Sequence, residues 1–272
     1  MLRLRTFGSP SVEGATGPLG GAAAQRRCLA LLALLAAAGD RGVSRDKLLT
    51  FLWPESEAGK ASHRLTQLLY LLRRDLQADD LFLGSTDLRL NPSAIQTDIG
   101  EFTAALGRGD LDVAVSLYAG PFLDGFYLTV ASGASSSEFE RWSEEERVSL
   151  AGRFRGALED LAAAARRQGN LPRSVEHWRR IVASDPLSSR VALGFMEALS
   201  AVGNRAEALQ FARVHTELLR NQLDADPNPA VLALADRLRG GGPPPESSPP
   251  ADRKSTRLNS SHSVTSRMPS SA

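Results

Sequence analysis

Cysteine occurs once in the 272-residue chain, at Cys28, which excludes an internal disulfide framework and fits a reducing compartment. With four histidines and that single thiol, no Cys/His cluster has the spacing of a structural zinc site. Long apolar runs are also missing. The longest, Cys28 to Gly39, is 12 residues, against the roughly 20 that a membrane-spanning helix needs. A signal peptide would carry its charged region at the extreme N-terminus, whereas here 25 residues precede Arg26 and Arg27. The run therefore reads as a buried first helix. Neither a phosphate-cradling GxxxxGK[ST] motif nor a GxSxG elbow occurs, so no constellation for catalysis or cofactor binding is visible. The chain reads as a non-enzyme.

What is present is a globular composition, 42 % hydrophobic and 23 % charged, with a net charge of +1. That balance hides an asymmetry. Residues 1–97 carry 12 Lys/Arg against 9 Asp/Glu, residues 98–239 carry 16 against 20, and the remainder 4 against 2. A basic front joined to an acidic back suits a module that meets an anion followed by one that meets protein.

In the front segment, Leu2-Arg3-Leu4-Arg5 alternates as a strand, and Phe7-Gly8-Ser9-Pro10 turns the chain toward a second strand at Val12. Three helical stretches follow: Ala24 to Ala38, stopped by Gly39; Arg45 to Trp53, capped by Ser44 and stopped by Pro54; and Glu57 to Gln77. Leu81-Phe82-Leu83 and Leu88-Arg89-Leu90 flank the polar turn Gly84-Ser85-Thr86-Asp87, a hairpin pattern. On a helical wheel at about 100° per residue, Ala61, Leu65, Leu68, Leu69, Leu72 and Leu76 share one face. The opposite face carries Lys60, His63, Gln67, Tyr70 and Arg74, with Arg64, Thr66 and Arg73 at its margins. Arg and Lys pair with phosphate or guanine, and Gln pairs bidentately with adenine. A capped helix, a turn, a longer cationic helix and a hairpin follow the order of a winged helix-turn-helix.

From Asp98 the strand signals give way to Ala/Leu helical periodicity. Gly169-Asn170 recurs as Gly203-Asn204, a spacing of 34, the tetratricopeptide period. This register puts Trp178 at the large inter-helix position, Pro186 at the closing position and Ala208 at the small one. Arg220 stands where proline would, so the last helix runs on. A weaker copy is Gly109-Asp110 with Ala114 and Tyr118. Asp185 before Pro186 and Asn228 before Pro229 read as N-caps with proline at the first helical position. Ser137-Glu138-Phe139-Glu140 reads as a capping box. His177 and His215 have no third metal ligand nearby in sequence, and Trp53, Trp142 and Trp178 read as core anchors.

The fold class expected is therefore mainly α: an N-terminal winged helix over 1–97, then an all-α tetratricopeptide-like repeat domain over 98–239. The tail 240–272 opens with three Gly and three Pro, reads as disordered, and from Arg253 resembles translated sequencing-adapter read-through.

Leu2-Arg3-Leu4-Arg5-Thr6-Phe7-Gly8, Ser44-Arg45-Asp46-Lys47-Leu48-Leu49, Leu52-Trp53-Pro54 and Leu72-Arg73-Arg74-Asp75-Leu76 resemble the OmpR-like winged helix of antibiotic-pathway regulatory activators. Asp98, Tyr118, Gly120-Pro121-Phe122-Leu123 and Phe139-Glu140-Arg141-Trp142 resemble their bacterial transcriptional activator domain. The resemblance implies a cytoplasmic regulator in which Lys60, His63, Arg64, Gln67 and Arg74 face the major groove of double-stranded DNA. It places Thr86 or Arg89 near the minor groove or backbone. It also implies that the helical domain supports dimerisation, activation and contact with partners such as RNA polymerase. Two departures stand out. Leu71 lies at the edge of the DNA face, and Ser132-Gly133-Ala134-Ser135-Ser136-Ser137 lengthens a loop. Leu71 supports a second reading, an adaptor whose winged helix docks protein and whose repeats form a peptide groove.

Overall fold

The apolar run at residues 28–39 becomes the centre of the first half of the molecule. In helix α1 (Arg26–Ala38) every side chain from Cys28 to Ala36 is buried. The run is thus a core helix, ended by Gly39 at φ 55°, where an L side chain is disfavoured. These findings come from a computed structural model, which describes residues 1–128 and 137–240. Among the described residues no helix is long and apolar enough to cross a membrane. The expected tail beyond residue 240 and the loop 132–136 lie outside the described residues, as does the side chain of Ser137, so the capping box rests on sequence.

Two small sheets accompany α1. Strands β1 (Leu2–Arg5), β2 (Ser11–Gly14) and β3 (Gly17–Pro18) form an antiparallel meander, with Leu4 opposite Val12. The second sheet pairs β4 (Val43–Ser44) with β6 (Asp87–Leu90), and β6 with β5 (Phe82–Leu83). The hairpin β5–β6 stands where the sequence places it, but β4 joins it as a third strand. Between β4 and β5 lie α2 (Arg45–Leu52) and α3 (Ala58–Leu76). Ser44 caps α2 as expected, its Oγ accepting from Lys47 N at 3.4 Å. This is a winged helix-turn-helix.

A strand that periodicity does not reveal, β7 (Ile95–Thr97), pairs in parallel with β1 and leads straight into α4 (Asp98–Arg108). Asp98, 6 % exposed, is the knot of this junction. Its carboxylate accepts from Thr6 N at 2.8 Å, Thr6 Oγ1 at 2.6 Å, Phe7 N at 2.9 Å and Ile99 N at 2.8 Å. Sitting at a helix N-terminus, the anion is also favoured by the macrodipole.

Helix α5 (Leu111–Leu117) follows α4 through Gly109 at φ 78°, giving the weaker repeat-like pair. Then α6 (Ser137–Arg167) pairs with α7 (Leu171–Ser184), and α8 (Ser189–Ala201) with α9 (Arg205–Leu223), before α10 (Pro229–Gly240). Gly169 and Gly203, one period apart, turn the two pairs at φ 75° and 80°. Asn170 and Asn204 cap the helices that follow, and α9 runs on past Arg220. Asn228 caps α10 through Ala230 N at 2.9 Å. Asp185 does not cap α8. Ser188 does so through Val191 N, while Asp185 ends α7 and pairs with Arg155.

One core crosses the position of the expected boundary at residue 97. It runs from Leu4 through α1 and α3 to Phe102, Phe122, Phe139, Phe154 and Ile181. A smaller cluster fills the α8–α10 end, and Trp178 packs against both. The seam is aromatic: Phe7 meets Phe102 and Tyr118, and Tyr118 stacks on Phe154 at 4.2 Å. Gly120 to Asp124 lies against the end of β1, with Gly8 N donating to Pro121 O at 2.9 Å and Leu123 N to Thr6 O at 2.8 Å. Arg147 of α6 holds that segment through the carbonyls of Phe122 and Leu123.

Candidate nucleic-acid interface

Helix α3 divides by period as the wheel requires. Ala61, Leu65, Leu68, Leu69, Leu72 and Leu76 are buried, which fixes the rotation of the helix and presents the opposite face to solvent. Lys60, His63, Arg64, Gln67, Tyr70 and Arg74 are all exposed there, Tyr70 at 62 %. Its phenol therefore stands in water beside the cations of the same helix.

Several of these side chains are tied only loosely. Lys60 pairs with Glu57 at 2.9 Å, and an exposed pair of this kind holds by about 1 kcal/mol or less. Arg64 Nη1 donates to Ser56 Oγ at 2.8 Å, bringing the guanidinium back over the turn between α2 and α3. Gln67 Nε2 and His63 Nε2 lie 3.0 Å apart, one turn from each other. With His63 neutral and its Nε2 accepting, one amide N–H and the carbonyl of Gln67 stay free, the donor and acceptor that an adenine edge requires.

One of the expected residues is placed differently, and another is anchored. Arg73 is half-buried, its guanidinium 5.6 Å over the ring of Phe82 in β5, and its Nε is buried without a partner among the described residues. It braces the wing and is turned from the exposed face. Arg74 bonds Asp75 at 2.7–2.8 Å, and Asp75 also accepts from Ala22 N at 3.0 Å. The Arg74 hydrogen bond, followed by that of Ala22, holds the Asp75 carboxyl below its usual range. Arg74 therefore reaches solvent from an anchored position.

Leu71 is half-buried against the core cluster. It packs inward, which removes the observation that favoured a protein-docking surface on this helix.

At the wing, Gly84 turns the chain at φ 84°, where a β-carbon would collide with Asp87 O. Thr86 is exposed at the tip, and its carbonyl accepts from Arg45 N at 3.2 Å. Arg89 is exposed and runs past Gly42 toward Asp40 O, 3.4 Å away. Sequence reasoning missed Arg45 and Lys47. Arg45 Nε donates to Ser85 O at 2.7 Å, and Lys47 lies exposed in the same turn, 5.7 Å over Phe51. The signal was there: Arg45 and Lys47 stand, either side of Asp46, in the first turn of α2, where helix N-termini favour anions.

The helix-turn-helix is braced from behind by the helical part. Phe51 of α2 meets Trp142 of α6 at 5.9 Å, and Trp142 also packs on Phe122 and Phe139. Among the described residues no group of three His, Cys, Asp or Glu is placed to hold a metal.

A family model for the bacterial transcriptional activator domain matches residues 96–239. No curated protein matches. Among solved structures, Mycobacterium tuberculosis EmbR in complex with low affinity phosphopeptide is similar in fold, with a TM-score of 0.63 and 21 % identity. The likeness covers 89 % of this chain and 66 % of that one, so the chain spans just under two thirds of its length.

Proposed function

Because the chain belongs to the bacterial transcriptional activator domain family, we propose that it is a transcriptional activator that reads double-stranded DNA with α3 in the major groove. In this reading residues 1–97 are the DNA-binding part and 98–239 the activator part, acting in the cytoplasm without catalysis or a cofactor. Lys60, Arg64 and Arg74 neutralise phosphates, and His63, Gln67 and Tyr70 meet base edges. Thr86 and Arg89 approach the backbone from the wing, and Arg45 and Lys47 add phosphate contacts. Arg73 acts indirectly, by fixing the wing on Phe82. The observation that carries the reading is the exposed row on α3, presented by a helix whose other face is wholly buried.

The released counterions supply affinity, each phosphate contact adding about 0.9 to the salt slope. A single small basic surface gives little specificity, so two copies on a repeated half-site are expected, with the helical part supplying dimerisation and contact with RNA polymerase. The test is selection of the full chain on randomised duplex DNA, followed by sequencing. The wild type should enrich a motif, Gln67→Ala should relax it at one position, and Lys60→Ala should weaken binding evenly across sequences. No enriched motif from the wild type would overturn the reading.

A further inference from the structure

Between the two repeat pairs lies a cleft of about 130 Å³. Its walls are one face of α6, with Glu159, Ala162 and Arg166, and one face of α8, with Gly194, Glu197 and Ala198. Each set follows helical spacing, so two small-residue stripes confront each other. Trp178 of α7 forms the floor, its ring packed so closely on Gly194 that a β-carbon there would collide with the indole.

The charges around the cleft are unequal in their commitments. Arg190 binds Glu159, one of the lining residues, through two hydrogen bonds, at 2.9 and 2.7 Å, so that carboxylate is already engaged. Glu197 and Arg166 line the same cleft, and among the described residues neither has a hydrogen bond or an ion pair. One free carboxylate and one free guanidinium thus flank an apolar hollow floored by an indole.

Size limits the occupant. An apolar cavity of about 150 Å³ takes a benzene ring, so the hollow holds a side chain of four carbons or so and little else. We propose that the cleft binds a free amino acid with a branched aliphatic side chain, its ammonium on Glu197, its carboxylate on Arg166 and its side chain against Trp178. Charge-assisted bonds at both termini give orientation, and the small residues give room.

Isothermal titration of the full chain with L-leucine tests this. The expected dissociation constant is about 100 µM, in keeping with the affinity per atom of very small ligands. Glycine, which has the charges without the side chain, should not bind, and neither should N-acetyl-L-leucinamide, which has the side chain without the charges. Arg166→Gln, an exposed change that spares the fold, should weaken binding about tenfold or more. Ala198→Leu should fill the hollow and abolish binding. Absence of saturable heat up to about 10 mM L-leucine, a hundredfold above the expected constant, overturns the proposal. So does equal binding of N-acetyl-L-leucinamide, which would mark a peptide anchor, or unchanged affinity in Arg166→Gln.

Discussion

Replacing Asp98 with Ala strikes the junction where β1, β7 and α4 meet. The carboxylate is 6 % exposed and satisfies four donors, three of them backbone N–H groups, from Thr6, Phe7 and Ile99. Alanine supplies no acceptor, and water has little access. Each buried donor left unmade costs about 1–3 kcal/mol. Ile99 N lies in the first turn of α4, where helix ends most readily find another partner, so Thr6 N and Phe7 N carry most of the loss. The expected destabilisation is about 3–5 kcal/mol, a large share of the roughly 5–15 kcal/mol that holds a folded domain. Thr6→Val removes only the hydroxyl bond and should cost about 1–2 kcal/mol. The two changes should not add, because Thr6 Oγ1 loses its acceptor in Asp98→Ala already. Urea unfolding followed by circular dichroism reads this as a lower midpoint at constant slope. A loss below about 1 kcal/mol for Asp98→Ala, or strict additivity with Thr6→Val, would refute the account of this knot.

Among the described residues His177 is buried with neither ring nitrogen partnered, and burial, aided by Arg173, lowers its pKa from 6.5. The unfolded chain therefore takes the proton first as pH falls, so stability is full above about 6.5 and declines as pH falls through the lower folded value. Urea midpoints measured from about pH 7.5 to 5 should fall in the wild type and flatten in His177→Leu. Gly84→Ala drives a β-carbon into Asp87 O at a positive φ; it should cost about 1–3 kcal/mol and weaken DNA binding in a gel-shift assay, since the wing tip must move. Leu71→Ala should lower stability by about 2 kcal/mol while leaving DNA affinity within about twofold, and a selective loss of binding would return Leu71 to the interface.

Long periodic elements are plain in the sequence because many residues carry their signal. Six apolar positions fix the face of α3, and Ser44, Gly39 and the repeated Gly-Asn pairs mark ends by their own chemistry. The strands β4 and β7 are hidden for the opposite reason. Two or three residues cannot display an alternation, and Val43 and Ile95 become strand residues only through partners 45 and 93 positions away, Leu88 and Leu2. Asp185 and Ser188 are both polar residues near Pro186, and local rules favour the first. Arg155, 30 residues earlier, takes Asp185 and leaves the cap to Ser188. Within the candidate interface, the wheel places Arg73 at the margin of the polar face, and only the ring of Phe82 decides that it turns inward. Arg45 and Lys47 lie outside α3, and only the bond from Arg45 to Ser85 brings the first turn of α2 up to the wing.

Fluorescence anisotropy of the full chain tests the central claim most directly, using duplex DNA from upstream of its own gene and a shuffled duplex of equal composition, from low to physiological salt. The account predicts tighter binding to the upstream duplex that persists at physiological salt and is lost in the Arg64→Ala, Gln67→Ala double variant. Equal, weak binding to both duplexes that disappears with salt would contradict it, leaving α3 a charged surface and no reader of sequence.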